Sequence, residues 1–353
     1  MTSTSTAALR TVSLGALLDT PMTPRQWLLA PWLREQESAL IWAAPGVGKT
    51  MLTLSLALAI AGGGSLLGWR SPEPRRVLFI DGEMPLDDLQ GRLASLAGAI
   101  EDIDLDVARN NLTILARHHQ APSTPFPDFG NEDQQDAIID LIRRHDPAVV
   151  ILDNLSTLAT LDDENGAAET QRVVRLLARL KQARIAVIVV HHSGKNGRAF
   201  RGSSMLATTF EAIIGLTRDP GADALDPTGS ARFNIEWTKF RGRRDPSIGD
   251  RSVILKDADG VLRWSAETPQ DETLNALAAL ARTGRFKTQA EVGEALPGHL
   301  WPTEGKRPSA GWISGRFRMA HAKGIITKKE VDDLLAAARE ADEAAEVDLH
   351  DDI

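Results

Sequence analysis

The sequence predicts an α/β fold with a mostly parallel sheet, followed by a small helical C-terminal module. Three observations predict it. From Ser38 onward, short runs that are apolar throughout alternate with amphipathic helical stretches, the pattern of a parallel sheet covered on both faces. One of those runs, Ala39–Ala43, passes through a glycine-bearing loop directly into the apolar stretch that begins at Met51. Composition then shifts near Glu267–Asp271, and beyond it the pattern is helical.

Taken in order, residues 1–37 are polar and then mixed, with Trp27, Leu28, Leu29, Trp32 and Leu33 as their hydrophobic cluster. They read as an arm that packs on the domain edge or on a neighbouring subunit. Residues 38–266 form the main domain. Its expected strands are Ala39–Ala43, Val77–Asp81, Leu112–Ala116, Val149–Asp153 and Ile185–Val190. Helices are expected at Leu86–Ile100, Glu132–Arg144 and Ala167–Ala183; the last places Val173, Leu176, Leu177 and Leu180 on one face. Ala212–Leu216, Arg232–Phe240, Ser252–Leu255 and Val261–Trp264 follow one another with turn residues between, as an antiparallel extension would.

Residues 267–330 read as a winged helix-turn-helix-like domain. Helices at Glu272–Arg282, Thr288–Leu296 and Ser309–Lys323 precede a short expected strand at Gly324–Thr327. Residues 331–353 form an acidic tail with no Lys or Arg after Arg339, expected to fray.

Composition excludes several classes of chemistry. The 353 residues include no cysteine, which removes disulfides, zinc–thiolate clusters and thiol catalysis and suits a reducing compartment. The start, MTSTSTAALR, lacks the features of a signal peptide, and the run Met51–Ala61 is too short to span a bilayer, so a cytoplasmic protein with no membrane partner is expected. The net charge of -8 argues against a global nucleic-acid footprint. Local basic clusters remain at Lys195–Arg201, Lys239–Arg251 and Arg307–Lys329.

The chemistry centres on AAPGVGKT, Ala43–Thr50. Strand, glycine loop and helix in that order make a phosphate cradle from Ala44, Pro45, Gly46, Val47, Gly48, Lys49, Thr50 and Met51. Lys49 would reach the β- and γ-phosphates of ATP, and the Thr50 hydroxyl would hold Mg²⁺. VVILDN delivers Asp153 to a strand end, where it suits the same metal. VLFIDGEMP offers Glu83, with Asp81 as rival, to orient the attacking water; a turn acid capping the helix near Pro85 is the alternative. VIVVHHSGK supplies His191 and His192. Adjacent residues on a strand point oppositely, and the sequence does not fix which faces the nucleotide. Lys195, Arg198, Phe200 and Arg201 follow in a basic loop with one aromatic, suited to gripping a single DNA strand or serving as an ordinary solvated loop.

Together AAPGVGKT, LFIDGEMP, VVILDNLSTLATLDDENGA, VIVVHHSGK and RGSSML resemble the RecA-like hexameric helicases, and closest among them the RepA-type replicative helicases of plasmids. The resemblance runs from about Pro31 to Trp264. It implies a RecA-like P-loop ATPase core, a homo-oligomeric ring of hexamer type with ATP and Mg²⁺ at each subunit boundary, and single-stranded DNA in the pore. Lys49, Thr50, Glu83, Asp153 and one of the two histidines match the family's ATPase residues, and the loops Leu155–Gly166 and Ser193–Arg201 would touch DNA. Rings of this kind insert a cation from the neighbouring subunit. WTKFRGRR offers Arg241, then Lys239, for that role, with a solvated basic turn as the alternative. In the third C-terminal helix, Arg316 and Arg318 would meet duplex DNA, unless the module docks a protein instead. A recombination or loader ATPase without unwinding, and an ATP-switched DNA-binding regulator, are the competing functions.

Overall fold

The computed structural model describes residues 9–160, 167–193, 204–218, 230–243, 245–267, 269–303 and 306–351. Among them, nine strands form one sheet. In chain order they are β1 (Ser38–Ala43), β2 (Val77–Asp81), β3 (Leu112–Ala116), β4 (Val149–Asp153), β5 (Ala186–His192), β6 (Ala212–Arg218), β7 (Ala231–Phe240), β8 (Arg251–Ala258) and β9 (Val261–Glu267). Their spatial order is β9-β8-β7-β6-β1-β5-β4-β2-β3. The pairs from β6 to β3 are parallel, and β6 through β9 are antiparallel. The class is α/β with a mostly parallel sheet.

Every residue of β1, β2 and β4 is buried, which is why these strands read as unbroken apolar runs. Period-two alternation divides them between two cores. Ala39, Ile41 and Ala43 join one apolar cluster with the helix α1 (Lys49–Gly62), and Leu40 and Trp42 join the other with α4 (Gln135–His145) and α5 (Ala167–Gln182). On the α1 face lie α2 (Leu86–Leu96) and α3 (Leu105–Asn111). Trp42 lies across its strand neighbour Gly215, where an added Cβ would sit 2.5 Å from the indole. Only a glycine fits there, because the ring is fully buried and has nowhere to move.

The hydrophobic cluster before β1 packs on its own chain. Trp27–Leu29 pairs with Leu33–Arg34, and the rings of Trp32, Trp69 and Trp237 meet edge-on at 5.4–5.9 Å. The stretch before it, from Leu9 to Gln26, is exposed throughout and holds one short helix, Leu14–Asp19.

The C-terminal helices α6 (Pro269–Arg282), α7 (Gln289–Glu294) and α8 (Ala310–Ala322) surround their own core of Leu274, Leu277, Val292, Ile313 and Phe317. The expected strand at residues 324–327 does not form. Gly324 at φ +70° ends α8, and Ile326 turns inward to 1% exposure. The expected frayed tail is also corrected, since Lys328–Asp351 is a helix, α9. Its start is a capping box: the Thr327 hydroxyl accepts from the Glu330 N–H at 3.1 Å, and the Glu330 carboxylate faces the Thr327 N–H at 3.5 Å. The module therefore has a fourth helix where a wing was expected, with no strand in it among the described residues.

Candidate functional site

Register brings the parallel strands to a common edge. Ala43 pairs with His192 and Asp81 with Asp153, so the loop after β1 and three chemically active strand ends lie side by side. A cavity of about 960 Å³ opens there, lined by residues 45–51, Glu83, Asp153, Asn154 and His192. That volume lies at the upper end of what small-molecule sites use.

The loop itself is shaped for close backbone approach. Gly46 and Gly48 have φ of +76° and +119°, in the region that L side chains avoid. A Cβ on Gly48 would also stand 2.9 Å from the Phe233 ring of β7. From this turn α1 starts, so its first N–H groups face the cavity.

Lys49 is only 7% exposed, and its ammonium donates to the carbonyls of Ala43 and Ala44 at 3.0 Å each. Burial lowers its pKa, while the charges of Asp153 and Glu83 oppose that shift. Asp153 is pushed up to about 7 by burial and by the nearby charge of Asp81, against the hydrogen bond from Thr50. Thr53 adds a second hydroxyl, 3.5 Å from Asp153 Oδ2. A buried carboxylate held this far above its usual range, with two hydroxyls beside it, is a donor set that fits a hard divalent cation such as Mg²⁺.

The two acids of the neighbouring loop divide their work. Asp81 Oδ1 accepts from the N–H groups of Glu83 at 2.9 Å and Met84 at 2.6 Å, so it fixes the turn. Burial raises its pKa, and those two N–H donors pull it back. Glu83 is thereby left exposed on the cavity wall.

The comparisons with known proteins bear on this geometry. The family described as AAA domain matches residues 3–198, more than half of the chain. The chain belongs to the AAA domain family. No curated protein matches its sequence. Its structure is similar to that of a KaiC-like protein, PH0186 from Pyrococcus horikoshii OT3, at 14% identity and a TM-score of 0.47, over 67% of this chain and 93% of that one. It is also similar to the flagellar accessory protein FlaH of Methanocaldococcus jannaschii, at 10% identity and a TM-score of 0.43, over 66% and 90%.

Within the AAA domain the histidines separate. His192 Nδ1 lies 3.5 Å from Lys49 Nζ, and its Nε2 lies 3.3 Å from Asn154 Nδ2 and 3.5 Å from Glu83 Oε1. His191 points to the other face, buried, with Nδ1 3.2 Å from Ser156 Oγ. The structure thus brings His192 to the cavity and not His191.

Lys239 and Arg241 stand at the opposite end of the sheet. Lys239 pairs with Ile213 and Phe240 with Ala212, which itself pairs with Ala39, four residues before the loop begins. At about 3.3 Å per residue the separation is roughly 13 Å. Lys239 donates to the carbonyls of Ala207 and Thr208, and Arg241 to Thr208. Neither lines the cavity of its own chain. Lys195, Arg198, Phe200 and Arg201 lie outside the described residues, as do positions 161–166 of the other expected DNA loop. In α8, Arg316 is half-buried and lies over the Trp312 ring at 5.0 Å, whereas Arg318 is exposed.

Sequence reading missed several lining residues. Asn154, next to Asp153, has a buried Oδ1 with no partner among the described residues. Arg218, Arg232 and Lys256 reach the cavity from the antiparallel strands. They carry no motif: Arg218 ends β6 beside β1, and the fold-back of β7 and β8 over the glycine loop brings in the other two.

Proposed function

We propose that the protein is a Mg²⁺-dependent ATPase that works as a ring on single-stranded DNA, a helicase or translocase of the RepA type serving replication of a plasmid, phage or mobile element. The observation that carries the reading is the division of the sheet. Lys49, Thr50, Asp153, Glu83 and His192 converge at one end, while Arg241 and Lys239, the cations this reading lends to a neighbour, sit at the other. Such a site is completed by a second copy, whose far end would face this cavity.

In this reading the backbone N–H groups of residues 46–50 cradle the phosphates, and Lys49 leaves its carbonyls to neutralise the transferred group. Thr50 and Asp153 would hold a magnesium ion, whose charge would offset that of the phosphate oxygens. Glu83 orients the attacking water, with Asn154 Oδ1 as a further acceptor. His192 touches Lys49, Asn154 and Glu83 at once, so it would register loss of the γ-phosphate and pass it to the loop after β5. The five motifs in their family order support DNA as the partner, and in this reading the exposed Arg318 would meet a phosphate backbone.

A forked-duplex assay tests the proposal. Strand separation that needs ATP and is lost in Lys49→Ala is the expected outcome. Hydrolysis that ignores single strands would refute the motor. Filaments along DNA, or sequence-specific footprints without translocation, would select the recombinase or the regulator.

A further inference from the structure

At the far end of the sheet, Lys181, Lys239 and Arg241 gather about the carboxylate of Glu211. Glu211 stands between the start of β1 and the end of β7. Its N–H donates to the Ser38 carbonyl at 2.9 Å, and its own carbonyl accepts from the Arg241 N–H at 3.0 Å. The side chain turns back on the same strand start: Glu211 Oε2 accepts from the Ser38 N–H at 2.7 Å and from the Ser38 hydroxyl at 3.2 Å. Lys181, near the end of α5, donates to both carboxylate oxygens at 2.9 Å. Oε1 also faces the Arg241 guanidinium at 3.9 Å, while Arg241 Nη2 donates to the Thr208 carbonyl at 2.9 Å.

We propose that Glu211 is a positioning residue, whose carboxylate sets where Arg241 is presented to the site of a neighbouring copy. Exposure divides the cluster into an anchor and a moving part. The side chains of Glu211 and Lys181 are each 22% exposed, whereas that of Arg241 is 55% exposed and is the one able to reach outward. Charge gives the anchor its work. Burial lowers the Lys239 pKa, Arg241 and Lys181 lower it further, and Glu211 opposes them. Without that carboxylate, three like charges repel one another, and Arg241 is the most exposed of them. The backbone bonds to Ser38 and Arg241 already join the strands, so the sheet does not need the charge. Ser38 also opens β1, whose last residue, Ala43, leads into the phosphate loop. Glu211 therefore fixes Arg241 to the same rigid strand that carries the chain's own phosphate loop.

The inference rests on the reading that Arg241 serves a neighbour's site, and its test separates the two. Glu211→Gln keeps an oxygen for the Ser38 N–H and loses the charge. With ATP, Mg²⁺ and single-stranded DNA, its turnover should fall on the order of 10²-fold while KM for ATP stays unchanged. Mixed subunits then show which end of the site is damaged. Glu211→Gln should regain hydrolysis with Lys49→Ala, as Arg241→Ala does, and should not regain it with Arg241→Ala. Melting curves check the fold. Should Glu211→Gln melt far below the parent, Glu211→Asp, which draws the charge back from Arg241, takes its place in the same mixtures. Parental turnover, rescue of Arg241→Ala, or rescue of neither partner would overturn the inference alone, provided that Lys49→Ala and Arg241→Ala rescue each other. If those two do not, the shared site falls and this inference falls with it.

Discussion

Replacing Gly48 by alanine perturbs the phosphate loop in two separable ways. At φ +119° the backbone lies where an L residue costs about 1–3 kcal/mol. The new methyl would also lie 2.9 Å from Phe233 Cε1, well inside the ~3.5–4.0 Å of a normal carbon contact. Phe233 cannot retreat, being fully buried and edge-packed on Trp264 at 6.0 Å, so overpacking adds about 1–3 kcal/mol. The sum is on the order of 2–6 kcal/mol, relieved by moving the loop out of its cradle. Gly46→Ala is the control. Its φ is +76° and nothing lies within 4 Å, so it costs about 1–2 kcal/mol. Titration with a fluorescent ATP analogue, alongside thermal melting, should show Gly48→Ala far weaker than Gly46→Ala. The double variant Gly48→Ala, Phe233→Ala should recover the packing part of the loss but not the backbone part. Equal effects at the two glycines, or near-normal binding by Gly48→Ala, would refute the reasoning.

The remaining expectations concern the charged residues. Asp153 has a folded pKa of about 7 against 3.8 unfolded, so the fold binds more protons than the open chain between those values. Stability of the metal-free protein should therefore fall as pH rises through that window, by on the order of 4 kcal/mol. In EDTA at pH 8, Asp153→Asn should melt above the parent while losing Mg²⁺-dependent hydrolysis. That gap should narrow toward pH 5, and parallel melting curves would count against the shift. Glu83→Gln should keep nucleotide affinity and lose about 10²–10⁴-fold in turnover, measured as phosphate release. His192→Ala should lose turnover with little change in melting temperature. His191→Ala should do the reverse, because only His191 is buried on the far face.

Much of this was readable from residue order. Strands buried on both faces leave unbroken apolar runs, which is why Val77–Asp81 and Val149–Asp153 fall where periodicity puts them. The glycine loop is local, so its eight residues are visible before any fold is known. Tertiary information was not. Which histidine enters the cavity depends on the register of β5 against β1, and Arg232 and Lys256 arrive by sheet extension alone. The missed α9 had a signal in Thr327-Lys328-Lys329-Glu330, a capping box ahead of an alanine-rich stretch. Acidity beyond Arg339 masked it, since charge alone also describes a solvated tail.

The account stands most directly on turnover by mixed subunits. Lys49→Ala destroys the near end of a site and Arg241→Ala the far end, so each protein alone should be inactive with ATP, Mg²⁺ and single-stranded DNA. Mixed, they should regain hydrolysis, because an intact near end meets an intact far end wherever the two variants adjoin in that order. A mixture as inactive as its components, or an Arg241→Ala protein that hydrolyses ATP normally by itself, would contradict a site shared between copies.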